Sequence, residues 1–224
     1  MFELYHGSPD IIKKPEFGKG KPYNDYGLGF YCTESAEMAC EWAVGSGRGG
    51  YANHYRFDTE GLECLDLNGP DYTILHWLAL LLQNREFDVS SLLAREARDY
   101  LIANFEVPYL QADYITGYRA DDSYFSFAQD FLNGSISVRQ LGNAMKLGKL
   151  GTQVVLKSRR AFEQIEFIDA SYADNAVWYP RRMMRDKAAR RQYFDAERSG
   201  RQKGDLFILQ ILDGEVKADD DRLR

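Results

Sequence analysis

Short strand patterns and helical patterns are interleaved along this chain without the regular beat of βαβ units, which predicts an α+β fold. Its 224 residues suffice for one full domain, or for one domain with an appendage. Fifteen Tyr and thirteen Phe supply bulk for a substantial core, which excludes disorder over most of the chain.

Residues 2–5 read as a short strand ending at His6-Gly7. Residues 9–29 hold Pro9, Pro15 and Pro22 among glycines and lysines and predict a long ordered loop, a feature that in compact domains is usually functional. A brief strand over 30–33 follows. Ser35 then caps a helix whose Ala36, Ala39, Cys40 and Ala43 make one small-residue face for close packing. The glycines of 45–50 turn the chain into an aromatic strand over 51–57, and residues 62–67 are expected to pair with it. Two helical patterns occupy 71–104, the first through Leu75, Leu78 and Leu82, the second through Ala94, Ala97 and Leu101, with Val89-Ser90 as its cap.

Residues 113–118 predict a strand, Asp121-Asp122 open a short helix through 131, and a further helix runs from about Ser137 to Leu147. Strands over 153–156 and 165–168, joined by a short helix, complete a unit spanning 1–170. Residues 171–224 form a separate extension: a basic helix over 181–198 with Met183, Met184, Ala188 and Tyr193 on its apolar side, a strand within 205–216, and a charged, mobile tail.

No apolar run approaches the roughly 20 residues of a membrane-spanning helix. The longest, residues 74–82, contains His76 and reads as a buried helix. The N-terminus lacks a charged start followed by an apolar stretch, so no secretory leader is expected. Cys32, Cys40 and Cys64 are odd in number and follow neither disulfide-framework nor zinc spacing, which points to reduced thiols in the cytoplasm. His6, His54 and His76 are scattered, and no metal is expected. The net charge is −6, but residues 181–203 carry nine Lys/Arg against Asp186, Asp195 and Glu197, which leaves the remainder at −12. Such a basic segment is a solvated helix, an arm for an acidic partner, or a surface that tracks nucleic acid; the acidic body argues against a generic nucleic-acid binder.

The residues most suggestive of chemistry are Leu4-Tyr5-His6-Gly7-Ser8 and Gly27-Leu28-Gly29-Phe30-Tyr31, followed by Trp42. A histidine at a strand end can bond a ribose hydroxyl, and a glycine beside it lets backbone groups pair with a carboxamide. Gly27 and Gly29 mark either a turn before a strand or close approach of backbone to a ligand. Tyr31 and Trp42 can sandwich a planar ring, or simply pack in a core.

Together these pieces resemble the NAD site of ADP-ribosyltransferases of the His-Tyr-Glu branch, to which diphtheria toxin and the poly-ADP-ribose polymerases belong. The chain looks more closely still like the bacterial DUF3990 family, through Ala120-Asp121-Asp122 and Gln153-Val154-Val155 as well as the N-terminal motifs, over roughly residues 3–169. The resemblance implies an ADP-ribosyltransferase-like split antiparallel core, with two facing sheets around an NAD cleft and helices outside. It assigns His6, Gly7, Gly29, Tyr31 and Trp42 to NAD.

One departure stands out. Gln153 occupies the place of the branch's glutamate, and a glutamine brings no negative charge to the cation that develops as nicotinamide leaves. Asp121 and Asp122 are the best candidates to replace it, ahead of Glu163 and Glu166, their alternative role being to cap the following helix. The implied function is mono-ADP-ribosyl transfer from NAD to an intracellular acceptor by a toxin of a toxin–antitoxin pair, with a small neutralising protein as partner, no membrane and no metal. The rival readings are a degenerate sensor of NAD or ADP-ribose, and ADP-ribosylation of nucleic acid.

Overall fold

The computed structural model describes residues 1–119, 122–198 and 200–223, without the side chains of 122, 123, 196 and 197. Seven strands form one open sheet: β1 (Phe2–Ser8), β2 (Phe30–Thr33), β3 (Gly50–Phe57), β4 (Cys64–Asp66), β5 (Tyr114–Tyr118), β6 (Thr152–Leu156) and β7 (Ile165–Ala173). Their order is β4-β5-β6-β2-β1-β3-β7, antiparallel throughout except for the parallel pair β4/β5. Eight α-helices are present among the described residues: α1 (Ala36–Ala43), α2 (Ile74–Asn84), α3 (Leu92–Asn104), α4 (Asp122–Leu132), α5 (Val138–Ala144), α6 (Arg159–Glu163), α7 (Asn175–Gln192) and α8 (Ile208–Asp213). None is long and apolar enough to cross a membrane.

The sheet is unevenly joined. β1 pairs with β3 along its whole length, from Phe2 opposite Phe57 to Ser8 opposite Tyr51, but meets β2 only where Tyr5 faces Thr33. The two facing sheets expected from sequence are therefore one sheet, parted beyond that single junction. Gly7 lies at the parting, and a Cβ there would stand 2.2 Å from the Ala39 carbonyl oxygen and 2.7 Å from the Ala43 amide nitrogen. The small face of α1 thus sits directly on the β1 backbone.

Packing on both faces explains why the central strands read as unbroken apolar runs. On β6, Val155 joins the helical core built from α2, α3, α4, α5 and α8, while Val154 and Leu156 face the opposite cluster with Leu4, Phe30 and Tyr55. α2 is buried from Leu75 to Leu82. There, the ring of His76 accepts the Thr73 backbone N–H at 3.0 Å and closes the helix start.

Several local expectations are corrected. Residues 62–67 contribute β4, which lies beside β5 and not β3, because both edges of β3 are taken by β1 and β7. The cap of α3 is Ser91, whose hydroxyl accepts from Ala94, while Ser90 belongs to a turn closed by Asp88. The segment 205–216 forms a helix where a strand was expected: Ile208 and Ile211, three apart, are buried while Leu209 is exposed. The basic helix starts at Asn175, and its inner face is Arg185, Ala189 and Tyr193; Met183 and Met184 are 48% and 65% exposed. That rotation is set by the Arg185–Glu41 ion pair to α1 and by Tyr193 stacking on Phe127 at 3.9 Å. β7 runs through position 170, and α8 contributes to the main core.

Gly7→Ala is expected to destabilise the fold by about 3 kcal/mol, since the methyl group meets the α1 backbone and the Trp42 Cβ, which would have to shift. A urea midpoint equal to that of the parent protein would contradict this packing.

Candidate functional site

Where the sheet parts, a cleft of about 550 Å³ opens between β1 and β2. Five of the residues singled out from sequence line it together: His6, Gly7, Tyr31, Trp42 and Gln153. Beyond Tyr5 no register pair joins β1 to β2, so the backbone of that edge faces the cleft. His6 bridges part of the gap, its Nδ1 lying 2.7 Å from the Tyr31 carbonyl oxygen. A carbonyl can only accept, so Nδ1 carries the proton and Nε2 is left as an acceptor. Burial pushes the His6 pKa below its ordinary value, which favours the neutral ring, and that ring stacks on Phe30 at 4.4 Å.

Tyr31 is fixed through its hydroxyl, which donates to the Gly27 carbonyl at 2.5 Å and accepts the Tyr26 N–H at 3.0 Å. Burial raises the pKa of this hydroxyl far above the usual tyrosine range, with the charge of Asp25 adding to the effect. Gly27 has φ +70°, a left-handed turn that suits glycine. Gly29 borders a second hollow of about 370 Å³, which shares His6, Asn24 and Tyr31 with the main cleft. A Cβ on Gly29 would meet Val155 at 2.6 Å, so close packing on β6 already requires glycine there.

Trp42 is in place, but its ring is covered by the Arg119 guanidinium, 3.2 Å from the centroid. Its indole Nε1 is buried with no hydrogen-bond partner among the described residues. Gln153 is 3% exposed. Its side-chain N–H groups donate to the Tyr118 carbonyl at 3.1 Å and to Asp25 Oδ2 at 3.4 Å. Asp121 lies outside the described residues, and Asp122 opens α4.

Sequence reasoning missed the charged lining. Lys21, Arg85, Arg119 and Arg182 face the cleft, with Asp25 as the one carboxylate among the described lining residues. They come from the 9–29 loop, the end of α2, the exit of β5 and the basic helix α7, so no local pattern joins them. The available signal was the basic character of α7, one residue of which reaches the cleft. Among the described residues no cluster of His, Cys, Asp or Glu is suited to a metal ion. The arrangement presents a neutral histidine acceptor, aromatic walls, unpaired strand edge and excess positive charge, all suited to an anionic ligand bearing a flat polar ring.

The class defined by fold and site is thus a mixed protein of strands and helices, its open and mostly antiparallel sheet parted around a cationic cleft. The family model of DUF3990, described as a protein of unknown function, matches residues 2–167, and the chain belongs to that family. Neither the curated proteins nor the solved structures gave a match.

Lys157 ties the cleft loop to β6, its ammonium donating to the carbonyls of Tyr26 at 2.5 Å and Leu28 at 2.6 Å. Burial lowers its pKa from 10.5 to about 8. Between those values the unfolded chain binds the proton more tightly, so this residue's contribution to stability rises with pH. From pH 7.5 to 9.5 the parent protein should therefore gain stability relative to Lys157→Met in denaturant titrations. A pH-independent difference would contradict the burial of this cation.

Proposed function

We propose that this protein is a mono-ADP-ribosyltransferase that uses NAD as its substrate, built on an ADP-ribosyltransferase-like core. The observation that carries this reading is the convergence of His6, Gly7, Tyr31, Trp42 and Gln153 on one cleft at the parting of the sheet. These residues are separated by up to 147 positions in the chain, and the NAD motif they resemble requires them to meet.

In this reading His6 Nε2 accepts a hydroxyl of the adenosine-side ribose, and the Gly7 backbone pairs with the carboxamide. Tyr31 and Trp42 flank the nicotinamide, Trp42 being held by Arg119, while Gly29 keeps the loop close to β6. Lys21, Arg85, Arg119 and Arg182 offset the charge of the pyrophosphate, an interaction strengthened by exclusion of water. Gln153 organises the nicotinamide ribose, and Asp122, with Asp121 as its alternate, is the acid that the sequence offers for the ribose and the acceptor. The acceptor is intracellular and the protein acts in the cytoplasm, as a toxin neutralised by a small partner protein.

Gln153 supports a second reading, a sensor that binds NAD without turning it over, because an uncharged amide at this position stabilises a developing cation poorly. The two separate on incubation with NAD. Nicotinamide release that depends on cell lysate identifies a transferase, and binding without release identifies the sensor. If NAD neither binds nor raises the melting temperature, both fail.

Tyr31→Ala should weaken NAD binding by about tenfold, as expected for the loss of a stacking aromatic face. Tyr31→Phe keeps the ring and should keep most of the affinity in calorimetry. Equal affinity of Tyr31→Ala and the parent protein would remove the tyrosine from the ring site.

A further inference from the structure

We propose that Asp25, in the long loop ahead of β2, supplies the carboxylate that stabilises the positive charge developing on the nicotinamide ribose. The proposal rests on the NAD reading above and deepens it.

Asp25 is 7% exposed and lies in the cleft beside Gln153, whose Nε2 is 3.4 Å from Asp25 Oδ2. Gln153 cannot drift: its backbone sits between Thr33 of β2 and Gly117 of β5, and the Tyr118 carbonyl holds its amide. It therefore acts as a fixed donor that aims the carboxylate. The loop around Asp25 is pinned on both sides. Arg85 holds the Tyr23 carbonyl, Tyr31 receives the Tyr26 N–H and bonds the Gly27 carbonyl, and Lys157 holds the carbonyls of Tyr26 and Leu28. So many anchors on one short stretch place a carboxylate with little freedom, as preorganised electrostatic stabilisation requires.

Burying a carboxylate is costly unless it is paired. The guanidinium of Arg85 is one of its partners, at 3.9 Å. Asp25 is also the one acid among the described residues lining a cleft that holds four cationic side chains. A loop that served only to cover this cleft would have no need of a buried acid next to Gln153.

The chemistry is a glycosidic substitution. The bond between the ribose C1′ and the nicotinamide ring nitrogen breaks, and its electron pair stays on nicotinamide, which leaves neutral. Positive charge spreads over C1′ and the ring oxygen, where Asp25 opposes it. A nucleophile, water in the simplest case, forms the new bond at C1′ and gives its proton to solvent. NAD and water thereby yield ADP-ribose, nicotinamide and a proton.

The test measures NAD binding by calorimetry on the full chain, and nicotinamide release by chromatography with cell lysate present as the source of acceptor and the lysate's own release subtracted. The parent protein should bind NAD and release nicotinamide. Asp25→Asn should bind with similar affinity and release nicotinamide on the order of 10² times more slowly. Returning the charge from the neighbouring strand, in Asp25→Asn/Gln153→Glu, should recover at least about tenfold of that loss and exceed the gain that Gln153→Glu gives in the parent protein, whereas a purely structural role for Asp25 predicts equal gains in the two backgrounds. Should Asp25→Asn fail to fold, Asp25→Glu poses the same question: release slows at unchanged affinity if the carboxylate's position matters. Release at the parent rate from Asp25→Asn, or from Asp25→Glu in its place, overturns the inference and leaves the NAD reading standing. NAD bound by the parent protein without release overturns it in favour of the sensor, and failure of the parent protein to bind NAD overturns the NAD reading itself.

Discussion

Everything at the candidate site depends on how incompletely β1 and β2 are joined. A strand edge in the middle of a sheet normally completes its ladder, because unpaired backbone groups are costly once buried. Here β1 is fully paired on its β3 side and touches β2 at one register position, Tyr5 opposite Thr33. Two features hold the gap open. The backbone of α1 is seated against Gly7, and His6 places a ring nitrogen on the Tyr31 carbonyl, substituting for one missing ladder bond. A side-chain bridge of this kind satisfies the carbonyl without drawing the strands together, and the parting is what gives a ligand access to the edge of a strand.

The second determinant is charge. The chain as a whole is acidic, yet the cleft gathers Lys21, Arg85, Arg119 and Arg182 around Asp25, the one carboxylate among the described lining residues. Positive groups confined in a concave, partly dry site attract anions far more effectively than the same groups scattered over a surface. The basic helix α7 contributes one of these four cations. Its inner face docks through the Arg185–Glu41 ion pair and through Tyr193, and Arg182 reaches the cleft.

How much of this was legible in the sequence follows from the range of the interactions concerned. The β2 strand, the Ser35 cap and the buried α2 were readable because each rests on residues a few positions apart. The partner of β4 was not, since pairing depends on which edges other strands leave open. The run Leu206–Leu212 carries no period, and its identity as a helix appears only once Ile208 and Ile211 face the core. For the site the division is similar. The aromatic and histidine motifs were visible as local strings, whereas Arg119 over Trp42 and Asp25 beside Gln153 join residues 77 and 128 positions apart.

That last pairing changes what Gln153 means. Read alone, a glutamine in this place signals a site without its acid. Seen beside Asp25 it is a hydrogen-bond donor to an acid carried by the loop. A carboxylate on β6 would be fixed by the ladder itself, whereas one on the 9–29 loop is only as well placed as the loop is ordered. The bonds of Lys157, Tyr31 and Arg85 to that loop are then part of the electrostatics of the cleft as much as of its stability. The strongest of these anchors, Lys157, is itself a half-buried cation with a depressed pKa, bonded to two backbone carbonyls. Its desolvation is offset only if the loop carbonyls stay in place, so the cost of burying one charge enforces the position of the other.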